Sequence, residues 1–209
     1  PAVLINTRQP EQVWPSLGID NHAGALAMTG HLLGLGHRRI AFIGGPDGNH
    51  DADERLRGFR EAIAAQPGAL GIEYPGRFDE ASGHEAGARI LEGGALPDAV
   101  FAANDMMALG CLYAFAQAGV RVPEQIALAG FDDIPLARFV HPSLTTMQVS
   151  IAALGGKALM RLLSQMDSDE SLVPGHQMLV PELVVRQSSV SRRASHPPAH
   201  SERLDEQAS

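Results

Sequence analysis

Short apolar runs of strand length alternate along this chain with amphipathic stretches of helix length, and glycine marks most of the boundaries. Strands separated by helices can be joined only by crossovers, so the pattern points to parallel sheets with helices packed on their faces. A helix is expected from about His22 to Leu35, with Asp20 or Asn21 at its N-cap and Gly36 closing it. Strand Ile40 to Ile43, a glycine-rich loop (44–49) and a helix from near Ala52 follow, in which Leu56, Phe59 and Ile63 form one apolar stripe that Pro67-Gly68 ends. The remaining units are a strand near Ile72 to Tyr74 with a helix from Ser82 to Leu91, strand Ala99 to Ala103 with helix Asp105 to Gln117, and strand Ile126 to Ala129. Beyond them come an extended Leu144 to Val149, a helix from Ser150 to Met166, a polar loop from Asp167 to Pro174, and short strands His176 to Val180 and Leu183 to Arg186. The opening Ala2 to Ile5 reads as a buried strand, and Ser191 to Ser209, polar and almost without apolar residues, reads as a disordered tail.

Charge and cysteine usage narrow the function. With 16 Lys and Arg against 24 Asp and Glu, the net charge of −8 is not the electrostatic footprint of a nucleic-acid binder. The apolar runs fall far short of the roughly 20 residues that span a bilayer. The single Cys111 cannot form an intramolecular disulfide, so a reducing cytoplasm is the expected compartment. Because the chain starts at Pro1 and opens directly on an apolar run, it is expected to be a piece of a longer protein.

In open parallel sheets, ligands bind at the carboxyl ends of the strands. Arg55, Phe78, Asn104 and Asp132 each follow a different expected strand. A guanidinium, an amide and a carboxylate beside one aromatic face suit a small polyhydroxylated molecule, since planar bidentate groups match vicinal hydroxyls and the ring stacks on their C–H face. Each residue also has a structural reading. Asn104 and Asp105 precede a helix, where capping explains one of them but not both. Asp133 fits an N-cap ahead of Pro135, which leaves Asp132 as either ligand contact or turn former. Arg55 lies four residues before Phe59, on the helix face turned to the sheet, whereas Arg57 and Arg60 read as solvated. Phe78 reads as either a core aromatic or the ring of a pocket.

Enzyme signatures are missing from the sequence: there is no GxSxG elbow, P-loop, HExxH or cysteine pair, so neither catalysis nor a cofactor nor a metal is expected. Gly34-Leu35-Gly36 follows a helix rather than a strand and so reads as a C-cap, not a dinucleotide fingerprint. His31, His37 and His84 read as helix-end or surface residues, and Met106-Met107 as helix packing.

A series of segments then resembles, in order, the effector-binding region of the LacI/GalR transcriptional regulators. They include Gly18-Ile19-Asp20-Asn21, Gly36-His37-Arg38-Arg39-Ile40 through Gly44-Gly45-Pro46, Glu54-Arg55-Leu56-Arg57-Gly58-Phe59, and Pro97-Asp98-Ala99 through Asn104-Asp105. Gly130-Phe131-Asp132-Asp133-Ile134-Pro135, Pro142-Ser143-Leu144-Thr145-Thr146 and Pro181-Glu182-Leu183-Val184-Val185-Arg186 continue the series. The resemblance implies a type I periplasmic-binding-protein-like α/β fold of two doubly wound parallel-sheet subdomains with an effector between them, one subdomain essentially complete here and the other partial. It implies a remnant of the N-terminal subdomain in 1–19, the C-terminal subdomain in 20–148, a return to the first subdomain in 149–180 and a final strand in 181–190. It also matches Arg55, Asn104 and Asp132 to ligand contacts and Phe78 to the stacking aromatic.

The expected function is therefore allosteric sensing, in a homodimer, of a sugar, a sugar derivative or a nucleobase-like effector. Operator DNA would be held only by a helix-turn-helix module that is not in this chain. The remnant of the first subdomain is expected to expose apolar surface and to be poorly stable or self-associating. A periplasmic sugar-binding protein shares the implied fold, but the Gly36 to Ile40 and Phe131 to Pro135 segments favour the regulator.

Overall fold

The computed structural model of the chain describes residues 1–7, 13–167 and 175–189. Residues 168–174 of the expected polar loop and the whole of the expected tail lie outside them. In chain order the strands and helices are β1 (Leu4–Ile5), β2 (Ser16–Ile19), α1 (Asn21–Gly34), β3 (Arg39–Ile43), α2 (His50–Ala65), β4 (Leu70–Tyr74), α3 (Glu80–Glu92), β5 (Ala99–Ala102) and α4 (Asp105–Gln117). They continue as β6 (Ala127–Ala129), β7 (Thr146–Gln148), α5 (Ile151–Asp167), β8 (His176–Leu179) and β9 (Glu182–Val184), with 3-10 turns at Pro135–Arg138 and Gln187–Ser189.

Strands β4, β3, β5 and β6 form, in that spatial order, an all-parallel sheet. Helix α1 pairs with α2, and α3 with α4. Ile40 to Ile43 and Ala99 to Ala102 are fully buried, as strands covered on both faces must be. The ring of Phe42 stacks on Phe59 at 4.8 Å and meets the edge of Phe101 at 5.3 Å, which joins α2 to the centre of this core. The α3 and α4 backbones approach so closely that a Cβ at Gly83 would run into the backbone of Met107, and one at Gly110 into the carbonyl of Glu80.

Helices α1 to α4 each start from an Asn or Asp side chain that accepts the backbone N–H three residues on. Asp20 takes that of Ala23, Asn49 that of Ala52, Asp79 that of Ser82 and Asn104 that of Met107, at 2.7 to 3.1 Å. Each cap ends a strand-to-helix loop, so short polar side chains gather at one edge of the sheets.

A smaller parallel sheet, β1-β2-β8, packs against α5 around Leu17, Ile19, Leu154 and Ala158. Strands β7 and β9 pair antiparallel. Two sequence expectations change here. The opening strand is only Leu4–Ile5 and is not buried: Ile5 is 44% exposed, because among the described residues β1 has a single strand neighbour, β2, and is an edge of its sheet. Strand β2 carries no strand signature in the sequence, since Gly18 interrupts its four residues and Pro15 precedes it, leaving no β-branched run or alternation. The outer face of α5 exposes Leu159, Met160, Leu163 and Met166.

Candidate ligand cleft

Arg55 sits one turn into α2, with its side chain turned inward and 7% of the residue exposed. Its Nε donates to Asn21 Oδ1 at 2.8 Å and one terminal nitrogen donates to the carbonyl of Ala103 at 2.5 Å. The guanidinium lies over the ring of Phe131, 3.8 Å from its centroid, with the Phe78 ring 5.6 Å away. The other terminal nitrogen is 3.4 Å from Asp132 Oδ1. Burial alone would lower the affinity of Arg55 for its proton; Asp132, Asp51 and Asp105 oppose that.

Asp132 follows β6 with a backbone φ of +114°, and Asp133 follows it at +54°. Burial pushes the Asp132 carboxyl up, and Arg55 pulls it back. Asp133 is not the helix cap that the sequence suggested. Ile134 occupies that place without a side-chain cap, while the Asp133 carboxylate turns away to accept from Arg186 at 2.6 Å and Gln148 at 2.8 Å. An ion pair in reach of a nearly inaccessible carboxylate outweighs one capping bond. Beneath this loop, fully buried Asp105 accepts from the Thr146 hydroxyl at 2.6 Å and the Ile134 N–H at 2.9 Å, and desolvation pushes its carboxyl up to about 7.

Asn104 is the cap of α4, accepting the Met107 N–H at its Oδ1, and its Nδ2 donates to the Phe78 carbonyl at 2.9 Å. That bond holds Phe78 in a left-handed conformation, φ +65°, with its ring over Gly45, where any Cβ would collide with it. Phe78 also packs against the main core while facing the cleft.

Arg55, Phe78, Asn104 and Asp132 all line one cleft of about 560 Å³, a volume in the range of small-molecule sites. Asn6, Ile19, Val149 and Ile151 face them from the ends of β1 and β2 and the start of α5. The cleft therefore lies between the two parallel sheets at their carboxyl edges.

Sequence reasoning missed three contributors. Asp51, which lines the cleft and accepts from Asn21 Nδ2 at 3.0 Å, stands four residues before Arg55, a helical spacing that could have revealed it. Phe131, the platform under Arg55, directly precedes Asp132. Asp133, whose place ahead of Pro135 fits a cap, accepts from Arg186 instead. Among the described residues, no group of His, Cys, Asp and Glu is placed to hold a metal ion, and no helix is long and apolar enough to cross a membrane.

Residues 29–189 match the family described as the periplasmic binding protein-like domain. The chain is 33% identical over 198 residues to the HTH-type transcriptional repressor MelR of Bacillus subtilis, covering 90% of this chain and 56% of that protein. It is 35% identical over 176 residues to the HTH-type transcriptional repressor PurR of Haemophilus influenzae, covering 81% of this chain and 52% of the repressor. It thus spans about half the length of these two repressors. A solved sugar-binding transcriptional regulator of the LacI family from Escherichia coli, complexed with phosphate, superposes with a TM-score of 0.82 at 30% identity, covering 91% of this chain and 69% of that one.

Proposed function

Because this chain belongs to the periplasmic binding protein-like family in its LacI-type form, we propose that it is the effector-sensing region of a bacterial transcriptional regulator. The relatives named above are transcriptional regulators, which weighs against a transporter component and against an enzyme. The observation that carries the reading is the convergence of Arg55, Phe78, Asn104 and Asp132 on one cleft between two parallel sheets.

The effector is a small, neutral, polyhydroxylated molecule such as a sugar or a nucleoside. Asp132 and the free donors of Arg55 and Asn104 offer hydroxyl partners beside the Phe78 ring, while Asp51 and Asp132 set two carboxylates against the one guanidinium of Arg55, the Asp133 carboxylate being paired with Arg186 behind the cleft. An anionic ligand would meet more negative than positive charge. Effector contacts reach both sheets, so occupancy favours one relative arrangement of them, and differential binding of this kind is what couples a sensor to its output.

A second copy of the chain is the partner we assign to the groove of about 490 Å³ where Met106, Leu109, Tyr113 and Leu136 meet. Tyr113 is 60% exposed, and Phe139, on the same turn as Leu136, is 77% exposed. Operator DNA is held by a separate helix-turn-helix module, in the cytoplasm.

Calorimetric titration of wild type and of Asp132→Ala with D-glucose, D-galactose, D-ribose and adenosine tests the reading. Saturable binding to wild type that the substitution abolishes is expected. Binding of equal strength to both would remove Asp132, and with it this cleft, from the function.

A further inference from the structure

Asp132 and Asp133 occupy left-handed backbone conformations in succession, at φ +114° and +54°, which residues with a Cβ rarely adopt. Something outside the loop must hold them. The Asp132 N–H donates to the Met147 carbonyl at 2.8 Å, but the Asp133 N–H reaches the Thr146 hydroxyl only at 3.4 Å. The firm hold on Asp133 is through its carboxylate, whose side chain is 2% exposed: Oδ1 accepts from Arg186 at 2.6 Å, Oδ2 accepts from Gln148 at 2.8 Å, and Arg138 stands 3.9 Å away.

Arg186 is itself anchored. Its second terminal nitrogen donates to the Leu144 carbonyl at 2.8 Å and its N–H to the Thr145 hydroxyl at 2.8 Å. The residues after it are buried in the four-stranded unit: Ser188 Oγ donates to the Leu128 carbonyl at 2.6 Å, and Ser189 Oγ lies 2.7 Å from the Thr145 hydroxyl. Arg186 is thus a fixed cation behind the cleft, absent from its lining, aimed at the residue next to Asp132.

We propose that Arg186 is a positioning residue for the cleft: acting through Asp133, it holds the left-handed loop that keeps the Asp132 carboxylate opposite Arg55. Without the guanidinium, a buried carboxylate loses its hydrogen-bonded charge partner and keeps only the exposed Arg138 at 3.9 Å, Asp133 turns toward water, and Asp132 moves with it. The consequence for effector affinity rests on the function proposed above; the consequence for the loop does not.

Site-resolved amide hydrogen exchange on the whole chain separates the two. Arg186→Met is expected to speed exchange of the Asp132 and Ile134 amides by about tenfold or more, the factor that ~1.4 kcal/mol of lost local stability gives, while the Ala102 and Ala129 amides of the central sheet keep their protection. Arg186→Lys, which restores a cation without the planar fork, should recover part of that protection. The exposed Gln148→Ala, the milder test should Arg186→Met fail to fold, is expected to speed the same two amides to a smaller extent. Unchanged exchange at Asp132 and Ile134 in both Arg186→Met and Gln148→Ala, or loss of protection spread evenly through the sheet, would overturn the proposal. In a second arm, D-ribose or D-glucose affinity should fall in Arg186→Met as the loop loosens. Failure of wild type to bind any neutral probe would count against the proposed function alone, since the exchange result stands without a ligand.

Discussion

The Arg55 guanidinium lies over Phe131, its carbon 3.8 Å from the ring centroid, and in that position one terminal nitrogen stands 3.4 Å from Asp132 Oδ1. A buried aromatic thus aims the cation of the cleft, and the two should be energetically coupled. In urea unfolding, a double-mutant cycle of Arg55→Met and Phe131→Leu is expected to give a coupling of about 1–2 kcal/mol. Arg55→Met alone should cost roughly 3 kcal/mol, because it strips a buried acidic neighbourhood of its cation. Additive effects of the two substitutions would show that the stack does not orient the guanidinium.

Asp105 makes stability pH-dependent with a definite sign. Its folded-state carboxyl is raised from 3.8 to about 7. Between those values the folded chain keeps a proton that the unfolded chain has released, so this group's contribution falls as pH rises through the window and is flat above it. Asp105→Asn, whose amide can donate to Thr146 and accept from Ile134, should gain stability relative to wild type between pH 4 and pH 8, by up to about 4 kcal/mol at about 1.4 kcal/mol per pKa unit. A wild-type minus variant difference that stays constant with pH would contradict the assignment.

The acidic lining should discriminate by charge. In a thermal-shift series, D-glucose and D-ribose are expected to stabilise the chain more than their phosphate monoesters do, and Asp51→Asn should narrow the gap. A phosphorylated sugar that binds about tenfold more tightly than its neutral parent would rule out the neutral-ligand reading.

If the groove between α3 and α4 is the dimer face, Tyr113→Glu should shift the sedimentation profile toward monomer, since a charge desolvated at the centre of an apolar contact weakens association. A profile identical to wild type would place the interface elsewhere.

Much of the fold was legible because each local signal agreed with the global one. Gly36 and Gly119 end their helices with positive φ, and helix α4 has the bounds that Asp105 and Gln117 suggested. The small sheet was harder to read. Strand β2 is recognisable only through its pairing with β1 and β8, which lie more than ten residues away in sequence on one side and far more on the other. In the cleft, strand-end logic located Arg55, Phe78, Asn104 and Asp132 because each follows a parallel strand. It could not show that Asp133 answers to Arg186, 53 residues further on, since an ion pair at that separation leaves no local pattern.

The most direct test of the cleft is side-chain and amide NMR during titration with whichever neutral sugar or nucleoside binds. The Arg55 Nε–H, the Asn104 side-chain amide and the Phe78 and Asp132 backbone amides are expected to shift together with one saturation curve. A ligand that binds saturably and moves none of these four, while shifting residues elsewhere, would contradict the account.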